Sequence, residues 1–334
     1  MSALTEVGAQ LMAYLEEKKK IVNTVLGYVN HLVGSKATVY IFGGYEGVNE
    51  SGEANYAHKY NVDRYTWNAM PRMPTPRVHC RAVNLDGLIH VIGGFNNIET
   101  CDTVDVFNPS KNTWTTEASR MNEARHSFGA AVFNRKIFVF GGADGRHRPL
   151  ATCEVYNPET RTWKLLKPMA SKRMGCCAIV PDQKRIFVIG GQFGHGLKEV
   201  HESVAVFNPS SMEWENDSKI PPMNIPRSDF GCECTAEGIV VFAGEKGNKY
   251  LSSTEIYSFL DQKWREIGEC NRPRNSFGSF SLNGNIYILG GYSAERLATS
   301  ECLKLKDLKW LNLPDMPIER SGHTCIVCRE SVLQ

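Results

Sequence analysis

The chain contains no run of 18 or more apolar residues, so it offers no segment for a membrane-spanning helix. Its charge is nearly balanced: 38 Lys and Arg against 36 Asp and Glu leave +2, which supplies no broad field for nucleic acid. Near the N-terminus, Glu16, Glu17 and Lys18–Lys20 break up the apolar residues. No secretory core forms there, and a cytoplasmic location is expected. No glycine-rich phosphate loop opens onto a helical pattern. Eleven cysteines, an odd number scattered through predicted strands, read as reduced thiols rather than a disulfide framework. Cys325-x-x-Cys328 and Cys232-x-Cys234 lack a second half at zinc spacing, and strand alternation sends Cys325 and Cys328 to opposite faces. The 9 histidines are spread without a cluster. No metal, no cofactor and no catalytic activity are expected.

Tryptophan is scarce too, but its placement organises the chain. The six residues are Trp67, Trp114, Trp163, Trp214, Trp264 and Trp310, spaced 47, 49, 51, 50 and 46 residues apart. Before each comes a β-type run closed by a glycine pair: VYIFGG, IHVIGG, IFVFGG, IFVIGG, IVVFAG and IYILGG. Seven residues before each Trp stands Tyr60, Phe107, Tyr156, Phe207 or Tyr257, and Leu303 in the sixth repeat. After each Trp comes M-x-x-x-R: Met73/Arg77, Met121/Arg125, Met169/Arg173, Met223/Arg227 and Met316/Arg320, with Cys270/Arg274 in the fifth.

Each mark has a physical use. Four β-branched or aromatic residues in a row suit a strand buried on both faces. The glycine pair ends it, allowing positive φ and close backbone approach. Asn-Pro in NPSKNTW, NPETRTW and NPSSMEW opens a turn. Trp starts a fourth strand and packs its ring between units. Four strands in each of six repeats predict an all-β, six-bladed propeller. The first glycine run lacks a preceding strand, while RSGHTCIVC at 320–328 is spare. The C-terminal strand is therefore expected to close the ring beside residues 38–43, removing open sheet edges.

These motifs resemble the kelch-repeat family over roughly residues 37–329. The expected organisation is a helical extension at 1–36, a propeller at 37–330 and a tail at 331–334. Departures fall late: Ala243-Gly244 for the glycine pair, Cys270 for Met, Leu303 for the aromatic, and KLKDLKW without Asn-Pro. Residues 4–33 place Leu4, Leu11, Val25 and Leu32 on one heptad seam and Val7, Tyr14, Ile21 and Tyr28 on the other. They predict a helix that packs on the propeller or mediates self-association, and Lys18 within the seam argues against a long strict coil.

The resemblance implies that the loops after the glycine pairs and those before the innermost strands share one face. It gathers Arg77, Arg125, Arg173, Arg227, Arg274 and Arg320 around a mouth, with His79, His126, Ser127, Ser228, Asp229, Asn275, Ser276 and Ser321 beside them. Six guanidinium groups there would bind carboxylates or phosphates bidentately. Read instead as a repeat feature, the same arginines are fasteners bonding loop carbonyls. The variable loops add Arg146, His147 and Arg148, then His195, Lys198 and His201, then Lys246 and Lys249. Loop 45–55 adds Glu46, Glu50 and Glu53, so the mouth is expected to be basic over blades three to five and acidic at blade one.

The implied function is non-enzymatic protein binding, because propellers host unrelated activities and no site chemistry stands out. Kelch proteins such as scruin bind or cross-link actin, whereas BTB-kelch proteins present substrates to a cullin ligase. The 36 residues before the first blade are too few for BTB and BACK domains, which favours the scruin-like reading for a complete chain. A fragment would favour the substrate receptor. A propeller enzyme is the third class; the copper ligands and iron motif known in kelch-related enzymes have no evident counterpart. The partner is expected to be a protein, actin or an acidic peptide, with neither nucleic acid nor membrane involved.

Overall fold

A computed structural model describes residues 37–47, 54–117, 119–194, 199–215 and 220–329. Among these there is no helix, and the helix expected within 1–36 and the tail at 331–334 lie outside them. The propeller is the compact unit Val39–Val327. The chain ends form a second unit, of which only Ala37, Thr38, Cys328 and Arg329 are described, as tips of two strands.

Six four-stranded antiparallel sheets form the blades. From the inside outward, blade two is Arg81–Leu85, Leu88–Ile92, Val104–Asn108 and Thr113–Thr116. Blade three is Gly129–Phe133, Lys136–Phe140, Cys153–Asn157 and Thr162–Leu166. Blade four is Cys177–Ile179, Ile186–Ile189, Val204–Asn208 and Glu213–Trp214. Blade five is Gly231–Cys234, Gly238–Phe242, Ser253–Ser258 and Lys263–Glu269. Blade six is Gly278–Leu282, Asn285–Leu289, Ser300–Lys304 and Lys309–Leu313. Blade one takes its innermost strand, Thr324–Arg329, from the far end of the chain and places it beside Ala37–Phe42, followed by Ala57–Asn61 and Thr66–Ala69. The spare strand closes the ring as its sequence position required.

The second strand of each blade is largely buried, as its continuous apolar runs demand: Ile186–Ile189 and Gly238–Phe242 are buried throughout. The Trp rings pack across blade boundaries. Trp114 meets Phe42 of blade one at 5.3 Å, Trp214 meets Phe140 of blade three at 5.7 Å, and Trp310 meets Phe242 of blade five at 5.8 Å. Trp114, Trp214 and Trp264 also donate Nε1–H to a carbonyl just past the preceding blade's outer strand, at Pro71, Lys167 and Pro221. One side chain thus supplies apolar area and a directional bond to its neighbour.

The glycine pairs stand where backbone crowds backbone. A Cβ on Gly141, at φ +61°, would lie 2.3 Å from the Arg173 carbonyl oxygen; one on Gly142, at φ +93°, would lie 2.5 Å from that of His126. Blade five accepts Ala243 at the first position with φ 53°, a left-handed conformation that alanine adopts at a cost.

Candidate partner-binding face

The residue after each arginine bridges the residue after each glycine pair. The pairs are Val78 with Phe95, His126 with Ala143, Met174 with Gln192, Ser228 with Glu245, Asn275 with Tyr292, and Ser321 with Tyr45. Both loop sets therefore share one face of the ring.

One residue further on, the six loops link to one another. His79 N–H donates to the Gly322 carbonyl at 2.7 Å, Ser127 to His79 at 2.9 Å, Gly175 to Ser127 at 2.7 Å, and Asp229 to Gly175 at 2.9 Å. Ser276 donates to Asp229 at 3.2 Å and Gly322 to Ser276 at 2.6 Å, which closes a six-membered hydrogen-bonded collar around the axis. All six residues have positive φ, from 46° at Asp229 to 68° at Gly322. His79, Ser127, Asp229 and Ser276 line the small axial cavity with Arg81 and His323.

The arginines do not line this mouth. Arg77, Arg125, Arg227 and Arg274 have no exposed surface, and Arg173 and Arg320 are 4% and 5% exposed. Each of the first five points into its blade. Nη1 of Arg125 donates to the Gly141 carbonyl at 2.6 Å and to that of Thr152 at 3.0 Å. Arg77, Arg173, Arg227 and Arg274 repeat this pattern at Gly93, Gly190, Ala243 and Gly290. Guanidinium groups buried to this degree do not line a mouth, so the expectation that all six form a binding ring is corrected: the first five fasten loop carbonyls, and Arg320 meets Glu46. Sequence reading also missed the acidic partners. An Asp or Glu stands two residues before the aromatic position at Asp105, Glu154, Glu255 and Glu301, and each meets its blade's arginine. That spacing was visible in the repeats.

The variable loops are exposed. Arg146, His147 and Arg148 all face solvent, with Arg148 paired to Asp144 at 2.6 Å. Lys246 is half-buried in the hairpin Glu245–Lys246 and Lys249–Tyr250. His195 lies outside the described residues, as do Lys198, Glu50 and Glu53. Two apolar side chains absent from the expected site stand out: Ile98 in the blade-two loop is 88% exposed and Phe193 in the blade-four loop is 41% exposed.

The charge map differs from the expected one. Over blades two and three, His126 approaches His147 at 5.0 Å and His79 at 6.3 Å, and Phe95 joins both His126 and His147. Burial, with neighbouring His79 and His147, pulls His126 down to about 3, so its ring is neutral at neutral pH. Blade five carries an acid where a basic sector was expected. There Glu245 is pushed up to about 7 by burial and by Asp229, while Asn275 donates to its carboxylate at 2.6 Å. Glu46 of blade one is taken up by Arg320.

The arrangement suits docking. Among the described residues no group of three or more His, Cys, Asp or Glu is placed to hold a metal ion. The chain belongs to a kelch-repeat family: the KLHDC2/KLHL20/DRC7 Kelch-repeats domain matches residues 24–175 and 166–333. It is similar to Kelch-like protein 23 of Homo sapiens, 26% identical over 96% of this chain and 57% of that protein. It is also similar to Beta-scruin of Limulus polyphemus, 25% identical over 86% of this chain and 34% of that protein. The chain thus spans between a third and somewhat over half of these relatives. The solved structure of YjhT shares the fold, with a TM-score of 0.68 and 17% identity over 82% of this chain and 97% of that one.

Proposed function

We propose that this chain is a non-enzymatic protein-binding propeller whose partner docks on the loop face around the collar. The observation that carries the reading is the pairing of exposed Ile98 and Phe193 with the exposed cation Arg146 on that face. Apolar anchors ringed by polar groups are the surface from which interfaces draw most of their energy. The partner is a protein with an acidic segment, and an actin-associated scaffold in the cytoplasm is the first reading, in line with the similarity to Beta-scruin. The second reading is a substrate-recognition propeller of a cullin adaptor. It is supported by the similarity to Kelch-like protein 23, of which the chain matches 57%.

Capture of partners from cytosol followed by co-sedimentation with F-actin separates the two. For the captured partner, Ile98→Asp, Phe193→Ala and Arg146→Ala each weaken binding about tenfold or more with melting unchanged, and added salt weakens it further. Leu260→Asp, on a turn of the opposite face and 87% exposed, leaves binding intact. Loss with Leu260→Asp alone would move the site to that face.

A further inference from the structure

Blade four breaks the arginine–carboxylate pattern. Arg77 meets Asp105 at 3.1 Å, Arg125 meets Glu154 at 2.9 Å, Arg227 meets Glu255 at 2.7 Å, Arg274 meets Glu301, and Arg320 meets Glu46. In blade four the acidic position is Ala205. Among the described residues, Arg173 donates only to uncharged groups: the Gly190 carbonyl at 2.7 Å, the Ser203 carbonyl at 3.1 Å and the Ser203 hydroxyl at 2.6 Å. It is nevertheless 4% exposed.

The missing carboxylate has a second set of vacant partners. Glu154 accepts the N–H groups of Asn122 at 2.7 Å and Glu123 at 3.1 Å. Glu255 accepts those of Asn224 at 2.7 Å and Ile225 at 3.1 Å. Glu301 accepts those of Asn271 at 2.6 Å and Arg272 at 3.2 Å. The corresponding amides in blade four belong to Ala170 and Ser171, and among the described residues they find no acceptor. The position is also open to solvent. Asp105, Glu154 and Glu255 are fully buried, whereas Ala205 is partly exposed to solvent.

We infer that blade four holds a carboxylate-binding site, in which a small monocarboxylate takes the place that a glutamate side chain fills in blades three, five and six. A buried cation without a counter-charge is costly, and the costs ease when an anion with matching hydrogen bonds arrives. Two amides and a guanidinium converging on one point are a carboxylate receptor. Replacing Glu by Ala removes a CH2–COO− fragment, so acetate is the probe of matching size. The site does not depend on the identity of the protein partner.

The test is thermal melting and calorimetric titration with sodium acetate against sodium chloride at fixed ionic strength and neutral pH. The unaltered chain is expected to show a saturable rise of about 2 °C or more. Ala205→Glu should melt higher and lose the response, because its own side chain occupies the site. Glu255→Ala should acquire an acetate response in blade five. Acetate should also shift the ring signals of His201, which accepts or donates at Ser171 Oγ across 3.0 Å. No response in the unaltered chain while Glu255→Ala responds would overturn the proposal, as would a response that survives Ala205→Glu.

Discussion

At Arg227 the guanidinium donates to Glu255 at 2.7 Å and to the carbonyls of Ala243 and Ser253, with neither charged side chain exposed. A buried pair of this kind costs little intact and much when half is removed. Glu255→Ala should therefore lose about 3–5 kcal/mol in urea unfolding. Arg227→Met combined with Glu255→Leu should recover part of that loss, because no lone ion remains; an equal or larger loss would assign the energy to the capped amides. His323 shows the same logic for a proton. Its Nε2 accepts the Gly278 N–H at 3.1 Å, a bond that protonation would break, and burial pulls the ring down to about 3. The folded value lies below the ordinary 6.5, so this contribution is present above pH 6.5 and is lost as pH falls towards 3. At pH 5 the loss is about 2 kcal/mol. His323→Gln should flatten the acid side of a stability-against-pH curve, and an unchanged slope would show that the ring binds its proton equally in the folded and unfolded states.

The strand-to-strand turn before each Trp holds one left-handed residue: Tyr65, Asn112, Arg161, Met212, Gln262 and Leu308, with φ between 52° and 58°. Asn at the turn's start supports it, as where Asn108 Oδ1 accepts the Ser110 and Lys111 amides at 3.1 Å. Blade six lacks that Asn and still makes the turn with Leu308, which is 37% exposed and so packs little. Leu308→Asn should raise stability by up to about 1 kcal/mol, since Asn tolerates this region better. The outer strand's anchor behaves oppositely. Trp163 is 7% exposed and lies 5.2 Å from Tyr156, so Trp163→Ala should cost about 3–5 kcal/mol in the same unfolding assay. A loss below about 1 kcal/mol would mean the ring is not held between the blades.

The whole ring is held at two depths, by the inner strand Thr324–Arg329 beside Ala37–Phe42 and by the backbone collar through Gly322. Deleting residues 320–334 removes both links and leaves two open sheet edges. The truncated protein should lose its cooperative melting transition and aggregate; melting like the parent would disprove closure by this strand. The collar also explains why the residues two after each arginine vary in type yet share positive φ: their backbones, not their side chains, carry the ring.

The six Trp, the glycine pairs and the spare C-terminal strand determined blade number, strand order and closure, because each mark answers a local need that recurs with the repeat. The arginines were legible as a repeated feature but not in their direction. Whether a long cation faces a channel or a carboxylate depends on which strand lies opposite, and Asp105 and Arg77 are 28 residues apart in sequence. The loop face was legible as variable. Its charge map was not, because Glu46 is consumed by Arg320 and burial holds His126 neutral. Only the assembled ring decides which charges are paired within a blade and which remain at the surface. The missing carboxylate partner of Arg173 follows for the same reason: Ala205 reads as an ordinary strand residue until Glu154, Glu255 and Glu301, at its place in other blades, are seen to meet their arginines.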